Sequence, residues 1–426
     1  MGAVSTRGSG LFAAPPAALL AASLLGSAGA LGPAAPVSAA GTVTFDPPTA
    51  TAVLGRPLVF GDTFRSDVAP ERVEVLISTP FVPGTSVEQA APAPAGGGSW
   101  RVSVSQPDTG AVNTVYRVAF RVMLPGGATT TSGTTSATVT DPRFAWQAVS
   151  GTTVTLHWYG YSRSQARAWL DVAESAVGRA STAFGVTSVP HVDFFVYSDS
   201  QSFFDAVGSG ANADAAGVYI ADTHTAVGMI LPSDIGSSWP DQEIAHEITH
   251  HVFAVATQNP YHAPPVWLDE GCAVYYSEGI GPRNSELRQG IAQGTIIPLD
   301  GLTGTFPSTT DPFVLSYAEA VSAVDVFLRT YGQPALRTLL RAYRQGATDD
   351  EAFTAATHAD AAAFDATWLA SIGARPPRAY GPRPAPAGPA PPGWSAVPSP
   401  APASALVLAG VGAAFVEWRR RRRAAS

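Results

Sequence analysis

Asp241-Gln242-Glu243-Ile244-Ala245-His246-Glu247-Ile248-Thr249-His250-His251-Val252-Phe253 is the stretch on which the reading of this chain turns. Pro240 stands just before it. Proline suits the first turn of a helix, because the N–H it lacks would have no partner there. From that start the spacing predicts a helix. His246 and His250 are four residues apart, so a helix sets both imidazoles on one face, one above the other. Two imidazoles so placed are a ready pair of metal ligands. Glu247, beside the first, brings a carboxylate within reach of a water on that metal. His251 points about 100° away from His250 and reads as structural.

A reactive zinc site takes three protein ligands and leaves the fourth position open. Val266-Trp267-Leu268-Asp269-Glu270-Gly271-Cys272-Ala273-Val274-Tyr275-Tyr276 offers the third in Glu270, 20 residues after His250, with room for a loop and the start of a second helix. HEITH followed by WLDEGCAVYY resembles the HExxH…WLxEGxAxY pattern of the gluzincin zinc metallopeptidases, in particular the peptidase MA-like group. The resemblance spans about residues 190 to 372. It implies one Zn2+ per chain on His246, His250 and Glu270, with Glu247 as general base in the hydrolysis of a peptide or protein substrate. It also implies an oxyanion donor from a later helix. Tyr317, in Ser316-Tyr317-Ala318-Glu319-Ala320, is the candidate; Tyr275, Tyr276 and His262 are weaker ones, and a buried core tyrosine is the bland alternative for Tyr317.

The chain departs from the pattern in two places. Many relatives carry an acidic residue four positions after the third ligand, to orient a zinc-bound imidazole. Here that position is Val274, so a partner has to come from elsewhere, with Glu243, Asp269 and Glu278 available. Relatives that trim amino termini usually add a GxMEN-type segment. Gly228-Met229-Ile230-Leu231 has no Glu-Asn after it, which favours an endopeptidase over an aminopeptidase. In such folds the strand before the metal-binding helix pairs with extended substrate, so Val227 to Leu231 is expected to be an edge strand.

Outward from this centre, Val192-Asp193-Phe194-Phe195-Val196-Tyr197, Gly217-Val218-Tyr219-Ile220 and Thr153 to Trp158 read as strands. Ala166, Trp169, Ala173, Val177, Ala180 and Phe184 recur at helical spacing behind a Ser162 cap. Upstream, Val43 to Phe45, Val73 to Ile77, Arg101 to Val104 and Val115 to Val122 are short alternating runs parted by Gly and Pro, the pattern of a β-sandwich. The expected fold class is α+β, a gluzincin-like metallopeptidase domain over residues 142–373 preceded by an all-β sandwich-like domain over 40–141.

The ends read differently. Arg7, the apolar Leu11 to Leu25 and Val37-Ser38-Ala39 suggest a signal peptide over 1–39. A Pro/Ala-rich linker over 374–402 leads to an apolar run over 403–418 and then the basic tail 419–426, with Arg419 to Arg423. That order suggests a single transmembrane anchor with a cytoplasmic tail and an exported catalytic domain at the cell membrane. A net charge of −8, with six of the arginines confined to the termini, makes nucleic acid an improbable partner. Cys272 is the single cysteine, so an intrachain disulfide is excluded and the fold rests on its core. A second functional reading is a non-catalytic surface binding or adhesion protein that retains a zinc site. Glu247 speaks against it, since a structural site has no use for a base there.

Overall fold

The computed structural model describes residues 41–107, 110–207, 215–259, 261–375 and 408–409. The expected signal peptide, most of the linker and the basic tail lie outside them, as does the anchor apart from Leu408–Ala409. Among the described residues no helix is long and apolar enough to cross a membrane.

The first ten strands form a sandwich. They are β1 (Val43–Phe45), β2 (Thr49–Thr51), β3 (Leu58–Ser66), β4 (Arg72–Ser78), β5 (Ser86–Ala90), β6 (Ala93–Gly96), β7 (Ser99–Gln106), β8 (Val115–Met123), β9 (Thr129–Thr131) and β10 (Thr135–Thr138). One sheet runs β1-β3-β7-β6 with β2 on β3, the other β10-β8-β4-β5 with β9 on β8, and every pairing is antiparallel. Alternation decides which side chains turn inward. Leu58, Phe60 and Phe64 of β3 meet Val73, Val75 and Ile77 of β4 and Val118, Phe120 and Val122 of β8 in one core. Each such side chain contributes about 2 kcal/mol when fully buried. Asp62 sits on the same inward face of β3, buried, and neither of its side-chain oxygens has a partner.

The second part is built on a six-stranded sheet. Its strands are β11 (Gln147–Ser150), β12 (Val154–Trp158), β13 (Val192–Tyr197), β14 (Gly217–Ile220), β15 (Thr225–Met229) and β16 (Leu408–Ala409), in the order β11-β12-β13-β15-β14-β16. β12, β13 and β15 run parallel. β14 returns antiparallel to β15, and β16 pairs antiparallel with β14. This corrects the expectation for Val227 to Leu231: β15 lies inside the sheet between β13 and β14, and β14 occupies the flank beyond it. Lateral order depends on which strand doubles back, and the tight return through His224, in the left-handed region at φ 48°, places β14 outside.

The helices are α1 (Arg163–Phe184), α2 (Ser200–Val207), α3 (Trp239–Thr257), α4 (Val266–Ser277), α5 (Asn284–Gln293), α6 (Thr310–Arg344), α7 (Asp349–Thr357) and α8 (Ala361–Ser371). α1 starts where the sequence predicts, with the Ser162 side chain accepting from the Gln165 N–H, and stops at Gly185 in the left-handed conformation. Phe194 and Val196 of β13 share a core with α1 and with Ile244 and Ile248 of α3. Phe195 and Tyr197, on the opposite face of the strand, join the larger core of α4, α6, α7 and α8. α6 is broken at Gly332 (φ 79°, ψ 171°), two residues before Pro334, as expected where proline removes a helical N–H. The two parts meet through direct bonds. Val112 N–H donates to Ala206 O at 2.9 Å, and Asn113 Nδ2 donates to Thr225 Oγ1 at 3.0 Å and Asp193 Oδ2 at 3.3 Å. Arg143 joins Asp141 at 2.8 Å and Asp205 at 2.5 Å.

Candidate metal centre

α3 lays its length against β14, β15 and α1. All of Glu243, Ile244, His246, Glu247, Ile248, His250 and His251 are buried, so this helix is apolar or functional nearly all round. The imidazoles of His246 and His250 converge as their spacing predicts, with Nε2 atoms 3.0 Å apart. α4 begins after Pro265 and brings Glu270 across to them. Its Oε2 lies 3.4 Å from each of those Nε2 atoms and has no hydrogen-bond donor.

Three buried ligand atoms with edges of 3.0, 3.4 and 3.4 Å match the face of a zinc tetrahedron. With zinc–ligand bonds of about 2.0–2.1 Å, such edges come to about 3.3 Å. Glu247 also has a carboxylate oxygen within 4.8 Å of both histidines, but Glu270 closes the tighter triangle, and Glu247 is left beside it. The residues fit the metal that the sequence motif implies.

The partner that Val274 cannot supply is Asp269. Its Oδ1 lies 2.7 Å from His250 Nδ1, which fixes a proton on Nδ1 and turns the Nε2 lone pair toward the ligand triangle. Glu278 is elsewhere, gripped by Arg283 at 2.8 and 3.1 Å. Glu243 lies one turn before Glu247 and hydrogen-bonds to neither ring.

Charge in this pocket is tightly counted. Burial opposes the ionised forms, yet Asp269 and Glu270 hold His250 well above the ordinary imidazole value. Burial likewise opposes the Glu270 carboxylate, and His250 and His246 overcome it, bringing it down to about 2. Burial depresses His246 to about 4. Glu247, buried and close to Glu270 and Asp269, is pushed up to about 8. Glu243 is raised well above the carboxylate range by burial and by Glu247.

α6 delivers Tyr317. It is fully buried, edge-on to Phe306 and Phe313, with the Arg283 guanidinium 5.4 Å from its ring centre. Its hydroxyl is raised well above its ordinary value by burial and then by the negative charge of Glu270. α4 can come this close to α6 because Gly271 has no side chain. A Cβ there would stand 2.5 Å from the Ala320 carbonyl oxygen and 2.8 Å from its carbon.

Two of the other candidates, Tyr276 and His262, are occupied elsewhere. Tyr276 donates to Gln333 Oε1 at 2.9 Å, and His262 pairs with Asp349 at 2.9 Å. His251 is structural: Nε2 donates to the Pro190 carbonyl at 2.9 Å while Nδ1 meets the Tyr219 hydroxyl at 2.8 Å. Sequence reasoning missed Arg283, which has no motif to mark it. It also missed a glycine pair, Gly217 and Gly228, facing each other across β14 and β15. A Cβ on Gly217 would overlap the carboxylates of both Glu243 and Glu247.

Residues 172–374 match the family model described as Peptidase MA superfamily. A search of the curated proteins finds no match. Among solved structures, the M1 zinc metallopeptidase of Deinococcus radiodurans is similar at 12% identity over 81% of this chain and 95% of that one, with a TM-score of 0.31. A mutant of that enzyme gives 12%, 80%, 95% and 0.37. The cycloalternan-degrading enzyme of Trueperella pyogenes is 16% identical over 24% of this chain, with a TM-score of 0.17, and the chain spans 12% of its length. These superpositions are too loose to transfer the role of any residue. The family match, by contrast, runs from within α1 to beyond α8 and takes in both motifs. Over residues 172–374, then, the chain is similar to the peptidase MA superfamily.

Proposed function

We propose that this protein hydrolyses peptide bonds with one zinc ion held by His246, His250 and Glu270. The observation that carries the reading is the buried ligand triangle with an unligated carboxylate, Glu247, directly beside it. When bound, zinc would polarise the scissile carbonyl and acidify a water in its open position. The protein's own part is positional. Asp269 fixes the His250 tautomer. Glu247 Oε, held dry, takes a proton from the attacking water and returns it to the leaving amine; its value near 8 in the metal-free site would fall toward neutrality beside a dication, where such a base works best. The Tyr317 hydroxyl is the donor to the carbonyl oxygen as charge gathers on it.

Internal cleavage is favoured, because no Glu-Asn pair follows Gly228-Met229. Export and retention at the membrane through 403–418 complete the proposal. Protease shaving of intact cells should release the catalytic domain, and protection from shaving would overturn that part.

The main test is a proteome-derived peptide library incubated with zinc-loaded protein and with Glu247→Gln. Cuts made by the wild type and lost in the variant, with zinc content equal, are expected. A folded, zinc-loaded wild type that makes no cuts the variant lacks would overturn the peptidase reading in favour of a binding protein.

A further inference from the structure

Arg283 takes no part in the chemistry above, yet it is an arginine held in the interior. It is 7% exposed, and a cation is stable there only against a partner. The partner is Glu278, the residue that closes α4, whose N–H donates to Val274 O at 3.0 Å. Gly279, at φ 75°, turns the chain out of the helix. The single turn Gly281–Arg283 brings it back, so that Arg283 Nε and Nη2 donate to Glu278 Oε1 at 3.1 and 2.8 Å. The same guanidinium lies over the Tyr317 ring, its central carbon 5.4 Å from the ring centre. A cation over an aromatic face is attracted by the negative π cloud, most strongly out of water. Phe306 and Phe313 close on that ring edge-on, with centres 5.0 and 5.2 Å away. Three groups therefore hold the ring, and one of them is fastened to the end of the helix that carries Glu270.

Two other uses of Arg283 fit less well. An anchor for a substrate carboxylate needs a guanidinium open to solvent, and this one is covered and already donating to Glu278. A pair kept for stability alone is poorly explained, since a buried ion pair gains little over apolar side chains of the same volume. Charge favours a tie to Tyr317. Burial raises the Tyr317 hydroxyl, Glu270, Glu247 and Glu243 add to the effect, and Arg283 opposes them. A hydroxyl among carboxylates gives up its hydrogen reluctantly, and a cation against its ring makes it the better donor.

We propose that Arg283 is a positioning residue for the reaction. Braced on Glu278, it pins the Tyr317 ring so that the hydroxyl meets the substrate carbonyl oxygen where charge gathers, and it ties that aim to the helix that supplies Glu270. The role rests on the peptidase reading and on Tyr317 as the donor. The pin is a property of the ring and is measured without substrate.

The experiment uses the zinc-loaded full chain and removes both charges together, Glu278→Gln with Arg283→Met, so that neither is left buried alone. Arg283→Lys serves if that pair misfolds; it loses the flat fork that lies on the ring and should show the same changes, smaller. The first readout is the flip rate of 3-fluorotyrosine placed at position 317, taken from fluorine NMR line shapes. It should rise about 10-fold or more in the pair variant, by the strength of a desolvated cation–ring contact. The second readout is cleavage of the library peptide that the wild type cuts fastest. The pair variant should lose about 10- to 100-fold in kcat, the cost of a misplaced group, with KM nearly unchanged. In a Tyr317→Phe background the same pair should leave kcat nearly unchanged, because the donor it aims is gone. An equal loss in both backgrounds, a loss confined to KM, or an unchanged flip rate would overturn the role. A wild type that cuts nothing while the flip rate rises in the variant keeps the pin and loses the peptidase reading; a wild type that cuts while the flip rate stays put does the reverse.

Discussion

Asp269 is the residue on which the ligand geometry leans. It is buried, bonds His250 Nδ1 at 2.7 Å, and stands in for the acidic side chain that Val274 does not provide. Asp269→Asn should weaken zinc binding by about 10- to 100-fold, measured by competition with a chromogenic chelator; an unchanged affinity would show that α3 alone fixes the ring. Protons compete at the same place. The carboxylates raise His250 above its ordinary value, so the metal-free site holds a proton there that zinc must expel. Affinity should therefore fall as the pH is lowered through and below neutrality, and zinc titrations in buffers of differing ionisation enthalpy should show proton release. The convergence of His246, His250 and Glu270 was legible in the sequence, because four-residue spacing on a helix and a downstream Glu-Gly pair translate directly into geometry. Glu243 was not, because its neighbour across the slot is a glycine on another strand, and only the register of β14 with β15 reveals the space it fills.

Among the elements, α4 and α6 show how packing supports chemistry. Gly271 lets the helix carrying Glu270 press on the backbone of the helix carrying Tyr317. Gly271→Ala drives a methyl to 2.5 Å from a carbonyl oxygen and 2.8 Å from Val324 Cγ2. Backbone cannot step aside as a side chain can, so a loss of about 2 kcal/mol or more is expected, read from urea unfolding; an equal midpoint would show that the helices part freely. Helices and their caps follow from local signals, as at Ser162 and Gly185. The side-by-side order of strands does not, which is why β15, apolar and next in sequence before α3, looked like the edge while β14 pairs beyond it and keeps it inside the sheet.

Across the whole molecule, the sandwich carries a charge it does not use. Burial, and secondarily Asp46, raise Asp62 to about 6, while an unfolded chain holds it at the ordinary 3.8. The native state thus binds this proton more tightly. The sign follows: stability is greatest below pH 4 on this account and is lost as the pH rises toward 6, by on the order of 2 kcal/mol. Asp62→Asn should flatten that slope and melt higher than wild type above pH 6. Parallel melting curves for the two proteins from pH 4 to 8 would sink the idea.

The sandwich is also pinned. Val112 holds the end of α2, Asn113 holds β13 and β15 together, and Arg143 clasps Asp141 to Asp205. β15 is the direct neighbour of β14, whose Gly217 abuts the carboxylates of Glu243 and Glu247. Anything gripped by the sandwich would consequently stand at a set reach from His246 and His250, as on a jig.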